Sequence, residues 1–350
     1  MALNQQPVKG VLLVIASIAF ALALGGIFTG VLGLSEEQGT MVFAVCFANF
    51  WHLGVSWGGW PGGLVTQNRI LRGLINWLLA MLSVLITLGI WSWGYGLPFH
   101  ETPVALWAQT CIFMAVMQIF LFRNRLITPW DLADTIEWEN NSRQPLNGIA
   151  NFLFALVFMP TALFFVPTIW GMEPLYIPWY WFPMSVVVVD FCDWWPFDRL
   201  GQPRAGILNT GMVVIGTVLL MIVFYHLGFD FFDEGVPGTQ AAIFAAVWTA
   251  FALIQGWTMN MWPFGHWHRG KKAGIALVIT LTISAVAFVA ILKFIPVEQY
   301  NAVIFWLFSW LWALVCLAAP GYFHLFFWGY EENPHAAGTQ GAGYSGSASF

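Results

Sequence analysis

Apolar residues run along this chain in blocks long enough to cross a bilayer, and five blocks start just past a glycine: Gly10, Gly73, Gly148, Gly206 and Gly274. By subtraction these starts lie 63, 75, 58 and 68 residues apart. Such spacings suit one membrane-crossing hairpin each, with two spans of roughly 20 residues and two turns. The pattern predicts an all-α integral membrane protein of about ten transmembrane helices, built as five two-helix hairpin repeats. The expected spans are 11–33, 40–60, 71–95, 103–122, 147–168, 177–197, 206–228, 239–262, 273–295 and 302–328, within a single membrane domain over 1–332. These runs are too long and too continuously apolar for barrel strands, and lipid cannot satisfy an open backbone, so helices are expected.

The odd-numbered spans share a start. Gln6-Pro7, Gln144-Pro145 and Gln202-Pro203 precede Gly10, Gly148 and Gly206, and basic residues precede Gly73 and Gly274. Proline is tolerated in a first helical turn because its missing N–H would find no helical partner there. Three odd spans then place an amide three residues past the glycine, at Asn76, Asn151 and Asn209. An amide recurring at one helical phase fits a lining position at a cytoplasmic mouth, or a bridge between helices. Gly33, Gly96, Gly171 and Gly228 read as helix stops, and Pro296 ends the fifth odd span. The even spans close on Trp60-Pro61, Pro129-Trp130, Trp195-Pro196, Trp262-Pro263 and Trp328-Gly329, as indole anchors at the inner interface. The first span follows only Lys9 and exceeds a signal-peptide core in length, so it reads as permanent. A closed arrangement of the hairpins would place the first and last helices side by side; an irregular bundle is the alternative.

Composition agrees with the pattern: 59% of residues are hydrophobic and 8% charged, which excludes a soluble two-domain chain of 350 residues. Charge adds orientation. Lys9, Arg69, Arg72, Arg123, Arg125, Arg143, Arg199, Arg204, Arg269, Lys271 and Lys272 fall on one set of loops and Lys293 alone toward the other. The positive-inside rule then places both termini in the cytoplasm, in a cytoplasmic (inner) membrane, with Glu36, Glu37, Glu101, Glu173, Asp230, Asp233, Glu234 and Glu298 outside. No basic stripe points to a nucleic-acid partner. The longest inner connection, 123–146, allows a short interfacial helix, and the Gly-, Ser- and Ala-rich tail 333–350 is expected to be disordered.

Chemistry has few candidates. Asp190 and Asp193 stand three apart near the inner end of their span, and an intramembrane carboxylate suits proton or cation coupling. His52 lies at a similar depth and suits proton relay, substrate contact or cofactor ligation. A substrate path centred on Asp190 and His52, with Asp193 behind and Asn76, Asn151 and Asn209 at the mouth, is the leading assignment; ordinary hydrogen bonding between helices would also account for each. His226, Asp230, Asp233, His100 and Glu101 could form an outer metal site, but Gly228 should end the helix between them, and a solvated acidic vestibule is preferred. The four cysteines sit inside spans without metal-ligand spacing, so no metal or disulfide framework is assigned. His266, Trp267, His268, Arg269, Lys271 and Lys272 read as a membrane-surface anchor. Walker, dinucleotide, zinc-protease and nucleophile-elbow motifs are absent. The 22 tryptophans and 32 phenylalanines exceed what interfacial belts need, and fit packing, a path lining, or walls around a pigment or quinone. A multi-pass permease for a small solute is therefore the expected function, non-enzymatic and with no cofactor specified. The alternatives are a membrane-embedded redox or lipid-modifying enzyme and an integral scaffold subunit. The bilayer is the one certain partner; a homo-oligomer and partner subunits of a membrane complex are both open.

Overall fold

The structure, a computed structural model, describes residues 7–51, 65–66, 68–95, 183–192, 195–197, 200, 204–226 and 237–318. Within them every regular element is helical and no strand occurs. The α-helices are α1 (Val8–Gly26), α2 (Glu36–Trp51), α3 (Arg69–Tyr95), α4 (Arg204–His226), α5 (Pro237–Leu253), α6 (Arg269–Phe294) and α7 (Tyr300–Ala318). A further helical segment over 183–191 lies between α3 and α4. Three stretches are long and apolar enough to cross a membrane, Val8–Val31, Arg269–Phe294 and Val297–Leu317.

Helix starts are capped by local side chains. Ser35 and Gln38 form a reciprocal capping box ahead of α2: the Gln38 N–H donates to Ser35 Oγ (3.2 Å) and the Ser35 N–H to Gln38 Oε1 (3.0 Å). Glu36 and Glu37 occupy the first turn, where the helix dipole favours negative charge. Asn68 caps α3 by accepting from the Leu71 N–H at 3.2 Å, and His268 Nδ1 caps α6 by accepting from Gly270 at 3.3 Å.

Three helices finish instead in π turns, Ile27–Val31, Val187–Phe191 and Ile254–Thr258. In each, the next N–H reaches the carbonyl five residues back: Leu32 to Ile27, Cys192 to Val187 and Met259 to Ile254. Leu34 and Met261 then reach six back, to Phe28 and Gln255, past a residue of positive φ, Gly33 at 66° and Asn260 at 50°. Both capping bonds are thus one residue wider than in an ordinary glycine-stopped helix. Gly33 is the helix stop expected from the sequence. The spans expected over 177–197 and 239–262 leave the helix earlier, at Phe191 and Thr258, because the π turn ends them before the Trp-Pro pair. Trp195 and Trp262 sit in the turns beyond, each donating its N–H at 2.9 Å to the residue that caps the π turn, Cys192 and Met259.

Burial divides the helices into two kinds. Every described side chain from Ala242 to Ala250 in α5, Leu311 to Leu317 in α7 and Pro183 to Val188 is buried. These helices are surrounded by protein. In α1, α3, α4 and α6 only one row is buried and the remaining faces expose residues such as Ile15, Leu22, Leu78, Leu85, Ile215 and Val286. Leaving such faces in water would cost about 1.5–3 kcal/mol per side chain, so they suit an apolar surrounding. The rows share a frame. Counted from Gly10, Gly73 and Gly206, the third, seventh and eleventh residues are buried: Leu13, Ser17 and Ala21; Asn76, Ala80 and Val84; Asn209, Val213 and Thr217. In α6 the row is Lys272, Ala276, Thr280, Ser284 and Phe288. Small residues dominate these rows and let the outer helices approach the inner ones closely.

α7 is the hub, packing against α1, α2 and α5. It runs antiparallel to α1: Trp306 lies over Gly25, the Ser309 hydroxyl donates to the Ala21 carbonyl (2.8 Å), and the Trp310 indole N–H donates to Ser17 Oγ (2.9 Å). Ser17 passes its own proton to the Val14 carbonyl at 2.8 Å, so no group of this seam is left open. It runs parallel to α2, with Asn301 donating to Glu37 (3.2 Å), Phe305 over Gly39, and Trp312 against Phe43 (5.3 Å). The first and last described helices therefore pack side by side, the neighbour relation that a closed arrangement requires.

Two outcomes check this packing. An Ala21→Cys, Ser309→Cys pair, placed in a background without native cysteines, should form a disulfide in membranes under mild oxidation; an unreactive pair would place the helices apart. Gly39→Val drives a branched side chain into the rigid Phe305 ring and should lower stability by about 1–3 kcal/mol in detergent unfolding, whereas Gly89→Val meets open space and should not.

Candidate functional site

The carboxylate of interest is carried by an unusual stretch of backbone. Val186, Val187 and Val188 are buried, Phe191 is fully buried, and the π turn Val187–Phe191 places Asp190 within the last turn of an inner helix. Valine is stiff at χ1 and suits a packed inner wall. π turns interrupt a regular ladder and recur at functional positions. This turn packs against α4, α6 and the π turn Ile254–Thr258.

α4 brings Asn209 to the same level. Its Gly216 lies against Met184. A short link, 192–203, joins the two helices, so from that contact both run toward the link and are antiparallel. Asn209 is seven residues and Asp190 six residues from the contact, toward the link. At 1.5 Å per residue both lie roughly 9–11 Å from it, on one level. Asn209 is 1% exposed, and its Oδ1 accepts no hydrogen bond among the described residues. Thr217, two turns along the same row, is also buried with its hydroxyl unbonded there. A buried amide oxygen with no donor among the described residues favours a cation or a hydrogen-bond donor. Asn76 heads the equivalent row of α3 and is buried to the same degree.

The structure thus describes Asn76, Asn209 and the backbone of Asp190 among the residues expected to form a path, and it places the last two at a common height. For His226 the backbone alone is described, as the last residue of α4. His52, Asp193, Asn151, Asp230, Asp233, His100 and Glu101 lie outside the described residues. Among the described residues no three His, Cys, Asp or Glu side chains gather to hold a metal ion.

Sequence reasoning missed Lys272. Read as a surface anchor, it is in fact 2% exposed, and it occupies the inner row of α6 one turn before Ala276. The signal was available, because the four-residue frame of Ala276, Thr280 and Ser284 extends back to position 272. Arg269 is half-buried, while Lys271, His266 and Trp267 are exposed, as an interfacial anchor would have them. Also unforeseen were Trp77 and Trp248, whose indole N–H groups are buried without an acceptor among the described residues. Trp77 stacks on Trp312 at 6.3 Å and 14°, and Trp248 packs on Phe244.

Compared with protein-family models, curated proteins and solved structures, the chain matches none. Function therefore has to be argued from these residues alone.

The open acceptor of Asn209 makes a direct prediction. Asn209→Val stays close to the volume and removes a desolvated polar atom, so the purified protein should unfold at the same or a higher temperature. A fall of more than about 5 °C would mean that the amide is bonded in the folded protein.

Proposed function

We propose that this protein is a multi-pass permease for a small solute in the cytoplasmic membrane, with ten transmembrane helices arranged as five hairpins and both termini inside. Its path centres on Asp190 and His52, with Asp193 behind the former and Asn76, Asn151 and Asn209 toward the cytoplasmic mouth. The observation that carries this reading is the buried Asn209 oxygen, which accepts no hydrogen bond among the described residues, at the height of the Asp190 backbone and at the boundary between an inner and an outer helix. Buried polar groups at intermediate depth, in a bundle of repeated helices, are how solute paths are commonly built. Function by such likeness of architecture is an analogy, and the residues are what make it testable.

Several features support the arrangement. The π turns at 187 and 254 each begin eight residues before a Trp-Pro pair, and the bonds from Leu200 to Phe197 and from Trp267 to Phe264 recur at the same 67-residue offset. Shared burial frames counted from Gly10, Gly73 and Gly206 point the same way. Charge is separated as well: the starts of α1 and α6 carry Lys9, Arg269 and Lys271, and the opposite end of the bundle carries Glu36, Glu37 and Glu298. That distribution favours the positive end inside.

A second reading has its own observation. Buried indole donors at Trp77 and Trp248 would suit the carbonyls of a quinone or pigment, as in a redox enzyme or a complex subunit.

The test compares solutes taken up from rich medium by cells producing the native chain or Asp190→Asn, followed by untargeted mass spectrometry. At least one solute should accumulate only with the native chain. Identical profiles, together with a bound chromophore or partner subunit in native mass spectrometry of the gently purified protein, would replace transport with the second reading.

A further inference from the structure

An ammonium group that is 98% removed from solvent requires a carboxylate or several carbonyls around it, since an isolated charge in a low-dielectric interior is strongly disfavoured. Lys272 is such a group. The described acids are Glu36, Glu37, Glu298 and Asp190. Glu298 follows the far end of α6, and Glu37 is bonded to Asn301 at that same end. With 26 residues in α6, these glutamates lie roughly 30–35 Å from Lys272 along the bundle. Asp190 is different. Its π turn packs directly against α6. The register of that contact is set by Trp195, whose ring meets Gly270 (a methyl there would come within 3.2 Å) and stands edge-on to His268 at 6.1 Å. Trp195 lies five residues past Asp190, and Gly270 two residues before Lys272. From this contact both charged residues lie toward the interior, on facing elements, and a lysine stem of four methylenes spans the difference in height.

We infer that Lys272 is the internal counter-ion of Asp190. The inner row of α6 supplies the ammonium, and the π turn packed against α6 carries the carboxylate. For its role the inference rests on the transport reading: the ammonium holds the carboxylate until a small cation, a proton included, replaces it, so the solute either is a cation or moves with one. The pair itself does not depend on transport and is tested without it.

Asp190→Asn and Lys272→Gln should each lower the detergent melting temperature of the full-length protein, by on the order of 5–10 °C. The double variant should melt no lower than the worse single, because the two changes remove one interaction. Additive losses overturn the pairing. A loss that couples Lys272 to Asp193→Asn and not to Asp190→Asn overturns the assignment to Asp190. If a variant fails to fold, native protein treated with dicyclohexylcarbodiimide gives the answer. A carboxylate in contact with the amine condenses to an amide while the reagent takes up the water as its urea, and peptide mass spectrometry should find Asp190 joined to Lys272. A Lys272 amide to any other carboxylate, or none at all, overturns the proposal. Loss of solute uptake with the pair intact would sink the transport reading and leave the ion pair standing.

Discussion

Everything in this bundle depends on how closely its outer helices can approach its inner ones. In a bilayer, apolar burial provides no drive for one helix to leave lipid for another, so association comes from close packing and a few interhelical hydrogen bonds. The rows on α1, α3, α4 and α6 meet that constraint with alanine, serine, threonine and valine, and with glycine where an indole or phenyl ring lies directly on the backbone. Each small side chain removes about one layer of atoms between two helices and brings dispersion contacts of both backbones into range. Bulk is gathered around α7: Trp312, Phe305, Phe43 and Phe28 interlock about its axis. Small residues on the outer rows and rings packed about α7 are two halves of one fit.

The same constraint explains why polar groups are few and where they stand. Several serine and threonine hydroxyls, those of Thr29, Thr40, Ser83 and Ser284, return their protons to carbonyls of their own helix and so add no demand on a neighbour, while Ser309 donates across to α1. Amide and ammonium groups cannot do this. Asn76, Asn209 and Lys272 stand at the early positions of their rows, where a helix face is already enclosed but still near the headgroups. Whatever the bundle handles, its polar chemistry is concentrated at that level, next to the interrupted ends of the inner helices.

Much of the helix arrangement was legible in the sequence because glycine, proline and tryptophan punctuate it. The stop at Gly33 and the break at Pro296 follow from local backbone chemistry, whereas the helices expected to start past Gly10, Gly73, Gly206 and Gly274 in fact begin before them, at Val8, Arg69, Arg204 and Arg269. The distinction between inner and outer helices was not legible from hydrophobicity, since lipid and protein interior are equally apolar. It lies in side-chain size instead, as in the alanines of α5, whose Ala242, Ala245, Ala246, Ala250 and Ala252 allow contact on every side. The π turns escaped notice because they rest on a hydrogen bond displaced by a single residue, which no residue type announces. Of the candidate site, Asn209 was visible from its recurrence and Asp190 from its charge among valines. Lys272 was misread because the rule that orients loops counts charges without asking which helical face they occupy.

The seam between α1 and α7 also has a consequence for biosynthesis. Ser17 and Trp310, which bond across it, are 293 residues apart in the chain. At elongation rates of about 5–20 residues per second, α1 waits roughly 15–60 s before this partner is made. During that interval the row of Leu13, Ser17 and Ala21 faces lipid or a chaperoning insertase. The hydroxyl of Ser17 tolerates the wait because the Val14 carbonyl already takes its proton. α1 thus reaches this neighbour late, and closure of the seam is timed by the synthesis of α7.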